Sequence, residues 1–343
     1  MVGAFEAILT NTFVVSQKAY EESKDQFATE IISTSPYKVT EFVSGSVLSF
    51  EKRDDYWQKP ELIPEETAAN VDKLSFHVIK EASQAGIALE TGDIDAFVQL
   101  DQNTAVQFVD NPAFSMEANS YINGYQLYFS GGDNRNIATD ENLRKAICYA
   151  IDTDGLIKGV FAGYGKSMHD PIADTSVGYL EKWKDEEYYP YDVEKAKELI
   201  GQSNYKGEEL EFLATSSSTI QRVCQMIQGY LLQVGINVKL NLVDQALYTA
   251  TRLDGTQYDM TINTVGGETL PDHWSIRYDY QAYKTGDATA RHDEALGELL
   301  YKTWTKEGFT EENIDEVHNY LKDHMYAYGM VQPENIDVWR TDL

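Results

Sequence analysis

Polar and apolar positions follow two rhythms along this chain, and the rhythms change in blocks. The runs Tyr37–Val43 and Val47–Arg53 are rich in β-branched and aromatic residues and flank Ser44, Gly45 and Ser46. That pattern predicts a hairpin with a glycine turn. Pro36 stands just before the first run, where a missing N–H does little harm. The segment 71–80 reads as a third strand. Next, Ala85, Ala88 and Leu89 mark a short helical face that Gly92 closes, and Ile94, Ala96 and Val98 then alternate as a strand. Strand, helix and strand in that order predict a βαβ unit.

A second block opens near Tyr121. Tyr125, Leu127 and Phe129 alternate as a strand, a polar loop covers 130–140, and a helix over 141–151 carries Leu143, Ile147 and Ala150 on one face. Asp152 is placed to cap the helix that follows, and Asp192 to cap another that runs to Gly201. The strand 210–216 leads to Ser218 as an N-cap and then to a long helix with Val223, Met226, Ile227, Tyr230 and Leu231 on one side. A strand over 236–244, a short helix from Gln245 and a strand over 258–265 complete an alternating α/β set.

Charge narrows the partners. The 343 residues carry 56 acidic against 28 basic side chains, a net charge of −28. Such a surface repels phosphate backbones, which argues against nucleic acid. The two cysteines, Cys148 and Cys224, fall inside separate helical segments without metal-ligand spacing and read as two buried free thiols. No apolar run is long enough to predict a membrane-spanning helix. The first residues, Met1–Phe13, lack the pattern of a signal peptide, so any export signal is expected to be absent or to lie upstream of them.

Enzyme motifs do not assemble. The stretch 159–167 departs from phosphate-loop spacing by one residue and follows a helix rather than a strand. Residues 152–155 lack the remaining acids of a calcium loop. Neither HExxH nor GxSxG occurs, and the six histidines are scattered. His273 beside Asp272 reads as a solvent-exposed histidine. No cofactor, metal or catalytic group is called for, although carboxylate pairs suited to glycoside hydrolysis carry no sequence signature of their own.

Several segments in order, 33–42, 51–57, 88–97, 142–152, 159–165, 196–201, 226–240 and 258–267, resemble the family 5 extracellular solute-binding proteins, which include the dipeptide-, oligopeptide- and nickel-binding proteins of ABC importers. The resemblance implies an α/β two-lobe fold of the type II periplasmic-binding kind with an incomplete first lobe. Residues 1–120 would be part of lobe I, 121–328 lobe II, and 329–343 a return toward lobe I. It implies a non-enzymatic protein, extracellular or periplasmic and tethered as a lipoprotein when full length. As a monomer it would capture a small solute by hinge closure and deliver it to membrane permease subunits. The solute is expected to be an oligopeptide, with nickel chelates and oligosaccharides as alternatives. A sensory or adhesive role, or a hydrolase working through paired carboxylates, is the rival reading.

The resemblance also places the cleft wall in lobe II. The loop after the strand 258–265 is expected to contribute, with Asn263 and Thr264 leading into it, Gly266 and Gly267 allowing close backbone approach, Glu268 and Asp272 facing a cation, and Trp274 stacking. In peptide-binding relatives an aspartate of this loop receives the peptide ammonium. Here Gly267 holds that position by spacing, with Glu268 beside it. The second candidate is the start of the long helix, where Ser216 and Ser217 precede free N–H groups and Arg222 lies one turn in, a place suited to an anion.

Overall fold

The computed structural model describes residues 15–23, 32–64, 68–120, 123–132, 134–266, 270–278 and 293–343. The chain divides into two compact units, one within Glu6–Ile94 and one from Asp95 to Leu343.

In the smaller unit, helix α1 spans Gln17–Ser23, strands β1 (Tyr37–Val43), β2 (Val47–Lys52) and β3 (Lys73–His77) follow, and helix α2 covers Ala82–Thr91. The expected hairpin forms, and Gly45 takes a φ of 71° in its turn. Gly92 ends α2 in the left-handed region, φ 75°, where its N–H returns to the last helical turn. The βαβ unit does not form. β3 pairs antiparallel with its neighbour β2, and the strand after α2 joins another sheet. Alternation marks a strand but is blind to its partner, and here the nearby hairpin won.

The larger unit opens with β4 (Ala96–Leu100), the short helix α3 (Gln102–Ala105), β5 (Phe114–Ser120) and β6 (Asn123–Phe129). Helices α4 (Asn136–Thr139), α5 (Glu141–Ala150) and α6 (Thr153–Val160) lead to β7 (Gly165–Ser167). Then come α7 (Val193–Gln202), β8 (Leu210–Thr215), α8 (Ser218–Gln233), β9 (Val238–Val243), α9 (Gln245–Arg252) and β10 (Met260–Gly266). Helices α10 (Leu270–Tyr278), α11 (Glu294–Thr303) and α12 (Glu311–His324) precede the long strand β11 (Ala327–Arg340). The sheet runs β4-β11-β6-β10-β8-β9, with β5 and β7 also pairing β11. β8 is parallel to β9 and β10, whereas β6 and β11 run antiparallel to their neighbours.

Central strands are buried on both faces, so the half-buried alternation expected of β6 gives way to a run buried on both sides, in which the polar Gln126 bonds the Pro171 carbonyl. Leu127 and Phe129 enter one core with Ile147 of α5, Leu156 of α6 and Ile227 of α8. Tyr128 between them enters the opposite core, with Trp274 of α10, Leu300 of α11 and Val317 of α12. Cys148 and Cys224 are buried free thiols of the first core, and burial pushes the Cys224 thiol up to about 12. Asp140, Asp152 and Asp192 cap α5, α6 and α7 as side-chain acceptors. Gly201 lies inside the last turn of α7 rather than after it.

Buried polar groups stitch the layers together. The Arg144 guanidinium, almost wholly buried on α5, donates to the carbonyls of Ile137, Ala138, His324 and Met325. Residues 168–170 cross the sheet where Gly124 and Gly329 leave room. A Cβ at Gly329 would collide with the Asp170 carbonyl, and one at Gly124 with the Met168 sulfur. The same segment is fastened from α12. His318, 1% exposed, bonds Asp170 through Nδ1, lies 3.3 Å from Glu186 through Nε2, and stacks on Trp183 at 4.2 Å. Lys322 reaches Glu186 at 3.0 Å, and Asp315 accepts from the Trp183 indole at 2.8 Å.

Burial alone would push the His318 imidazole down, but the hydrogen bonds and charges of Asp170 and Glu186 outweigh it and leave its pKa raised. Burial would push Glu186 up, but Lys322 and His318 hold it below the usual range. A raised histidine stabilises fully below its unfolded pKa of about 6.5, and that contribution fades as pH climbs through the folded value. The Glu186 contribution is lost on the other side, as pH falls through its lowered pKa. His318→Gln should therefore cost roughly 3 kcal/mol near pH 6 in urea unfolding and clearly less near pH 9. An equal penalty at both pH values contradicts this reading.

Candidate site at the carboxyl edge of the sheet

Because β8, β9 and β10 are parallel, Thr215, Val243 and Gly266 end on one edge of the sheet. Asn123, the first residue of antiparallel β6, sits opposite Gly266 at that edge, and Val331 of β11 lies opposite Tyr125. The helix after β8 packs in the first core, whereas α9 after β9 packs through Tyr248 against Leu213 on the other face. Helices leaving to opposite faces open a crevice at the carboxyl ends of the strands, a position where α/β sheets receive ligands.

Both candidate stretches reach this edge. Ser216 donates its N–H to the Val243 carbonyl at 2.8 Å, which closes the end of β8 onto β9 and leaves the side chain exposed. Ser217, not Ser218, occupies the N-cap of α8, and its hydroxyl makes no capping bond. By contrast α5, α6, α7, α9, α11 and α12 are all capped by an Asp or Thr side chain. The first-turn N–H groups of the 16-residue α8 are thus left for another acceptor. On β10, the half-buried Asn263 accepts the Thr264 N–H at 2.9 Å, Thr264 is exposed, and Gly266 ends the strand. Gly267 and Glu268 lie outside the described residues, and Asp272 belongs to α10.

Three expectations need correction. The stretch 270–274 opens a helix rather than continuing a loop, because Leu270, Trp274 and Tyr278 recur at helical spacing and fill the second core. Trp274 is fully buried there and cannot stack on a ligand in the crevice. His273 is buried too, not solvent-exposed. Arg222 projects from α8 as expected but already has an anion: its guanidinium bonds Asp101 at 2.8 Å.

Asp101 is the residue that sequence reading missed. One carboxylate oxygen takes the Arg222 bond, while the other accepts from the N–H groups of Asn103 and Thr104 and caps α3. Asn103 donates to the Val160 carbonyl at 2.7 Å, and Gln102 to the Glu334 carbonyl at 2.7 Å. Asp101 before Gln-Asn-Thr is a readable cap signal, but nothing local announces a partner 121 positions away. Tyr125 faces the pair from β6. Burial, with Arg222 pulling down and Asp101 pushing up, raises its hydroxyl to about 12, so it stays a neutral donor.

Comparison with known proteins resolves the class. Residues 2–287 match the description "Bacterial extracellular solute-binding proteins, family 5 Middle". The chain belongs to that family. The oligopeptide-binding protein AppA of Bacillus subtilis is 23% identical over 342 residues, covering 90% of this chain and 59% of AppA. Among solved structures, the ABC transporter substrate-binding protein CtaP of Listeria monocytogenes superposes with a TM-score of 0.80 at 19% identity, over 98% of this chain and 68% of CtaP. The periplasmic binding protein DppA of Helicobacter pylori, in complex with the peptide STSA, gives 0.78 at 21%, over 96% of this chain and 64% of DppA. The α/β fold is that of the type II periplasmic binding proteins. This family 5 chain spans about three-fifths of the AppA sequence that it matches.

The Asp101–Arg222 pair makes a stability prediction. Asp101→Ala removes a cap and should cost about 1–2 kcal/mol in urea unfolding. Arg222→Ala should cost under about 1 kcal/mol, because the pair is partly open to solvent. Equal losses for the two variants would contradict the division of labour assigned to Asp101.

Proposed function

We propose that this chain supplies the lobe II wall of a peptide-capturing component of an ABC importer, and that the peptide lies along the carboxyl edge of β8 and β10. The observation that carries the reading is the convergence of Ser216 and Ser217 with Asn263, Thr264 and Gly266 at the end of one sheet. The open start of α8 suits a peptide carboxylate or an oriented carbonyl. Beyond Thr261, β10 runs past its pairing with β8 and offers backbone groups on that side to an extended chain. Glu268 and Asp272 are assigned to the cationic end. In this reading lobe I includes residues 1–120, lobe II residues 121–328, and 329–343 return to lobe I. Closure about that return segment hands the peptide to permease subunits at the cell exterior or periplasm, with the full-length protein a lipid-anchored monomer that performs no catalysis. Support comes from the family itself and from relatives named for oligopeptide and dipeptide binding.

Thermal shift of the protein against tetrapeptides, nickel–histidine chelates and oligosaccharides tests the solute class. A peptide at about 100 times its Kd should stabilise the fold by roughly 2.7 kcal/mol. Ser217→Asp should raise the peptide Kd at least tenfold while stabilising α8 by about 0.5–1 kcal/mol, because the new carboxylate occupies the N–H groups that the ligand needs. A response to chelates or sugars alone, or peptide affinity untouched by Ser217→Asp, overturns the proposal.

A further inference from the structure

Helix α6, β7 and the segment 168–184 line a pocket of about 540 Å³. Its lining includes none of residues 215–222 or 263–266. The volume is that of a small-molecule site, for which roughly 300–1,000 Å³ is usual. We propose that this pocket is a second ligand site, for a small carboxylate carried on an apolar body. The inference stands whether or not the sheet edge captures peptide.

The pocket walls divide by chemistry. Ile157, Met168 and Ile172 are buried apolar side chains, and the half-buried Tyr179 adds a ring. They give an apolar body a place to leave water. The charged groups of the lining are Lys158, Lys166 and Lys184 against Asp154 and Asp174, with His169 beside them. Bases therefore outnumber acids here, in a chain with 56 acidic and 28 basic residues. Asp174 engages Lys166 at 2.7 Å and Lys184 at 3.8 Å, and Glu181 also holds Lys184, at 2.9 Å. Lys158, exposed in the last turn of α6, has no acid within 4.0 Å among the described residues. It is the cation left for a ligand carboxylate.

The walls are held in place before any ligand arrives. Met168 donates its N–H to the Met330 carbonyl at 3.1 Å. His169 Nδ1 meets the Glu186 carbonyl at 3.0 Å, and since a carbonyl only accepts, that nitrogen carries the proton. Asp170 and Glu186, at either end of the wall, are the two residues that His318 fastens. A wall fixed from three elements spares the ligand the cost of ordering it. The geometry thus offers an apolar floor, a preformed wall and one uncommitted ammonium at the mouth.

Equilibrium dialysis of the full chain with octanoate tests the assignment, with acetate as the head group alone and inorganic phosphate as an anion without a body. Octanoate should saturate at one site per chain. Acetate and phosphate should not displace it at matched concentration. Lys158→Glu should remain folded and raise the octanoate Kd tenfold or more, and the thermal shift given by tetrapeptides should stay as in the native protein. Each of these results overturns the proposal: no saturable octanoate binding, equal binding by Lys158→Glu, or displacement by acetate or phosphate as effective as by octanoate itself. If Lys158→Glu weakened peptide and octanoate together, the pocket would not be a separate site, and that too would overturn it.

Discussion

Strand β11 is the element on which the larger unit depends. Its first half pairs with β6 and β7, and its second half with β4 and β5. Two halves of the eight-stranded sheet that otherwise share no strand are joined through one continuous backbone. Register breaks at Gly329/Val331 and at Ile336/Val338 bend it, and Pro333 between them donates no N–H. Gln332 and Pro333 still pair with β7.

The crevice follows from that arrangement. The carboxyl ends of β8, β9 and β10 face the side on which β11 turns toward β4 and β5, so polar ends of loops collect there rather than core residues. Helices α3, α5, α6, α7, α9, α11 and α12 each carry a side-chain cap, whereas α8 does not, which leaves a dipole and free N–H groups at the carboxyl edge of the sheet. Arg222 does not add a free charge to this edge. Asp101 neutralises it and in doing so ties the segment after β4 to α8 and α6.

Much of this was readable in the sequence, and the failures share a cause. Helices with a capping aspartate and a periodic apolar face, such as Asp152 before α6 and Asp192 before α7, were found because cap and face are local signals. The β1–β2 hairpin was found for the same reason. The misplaced βαβ unit, buried Trp274, buried His273 and the Asp101–Arg222 pair all depend on which distant elements meet. Trp274 shows the difference most clearly. After two glycines and among Pro, Asp and His it looks like a loop residue, yet Leu270 and Tyr278 at four-residue spacing turn it inward.

Peptide-level hydrogen exchange with and without a saturating tetrapeptide tests the central claim most directly. Capture at the carboxyl edge predicts slowed exchange in two stretches far apart in sequence, the amides of 216–220 and those of 263–266, at the same peptide concentration. Protection confined to other parts of the chain, with both stretches exchanging as in the free protein, would contradict it.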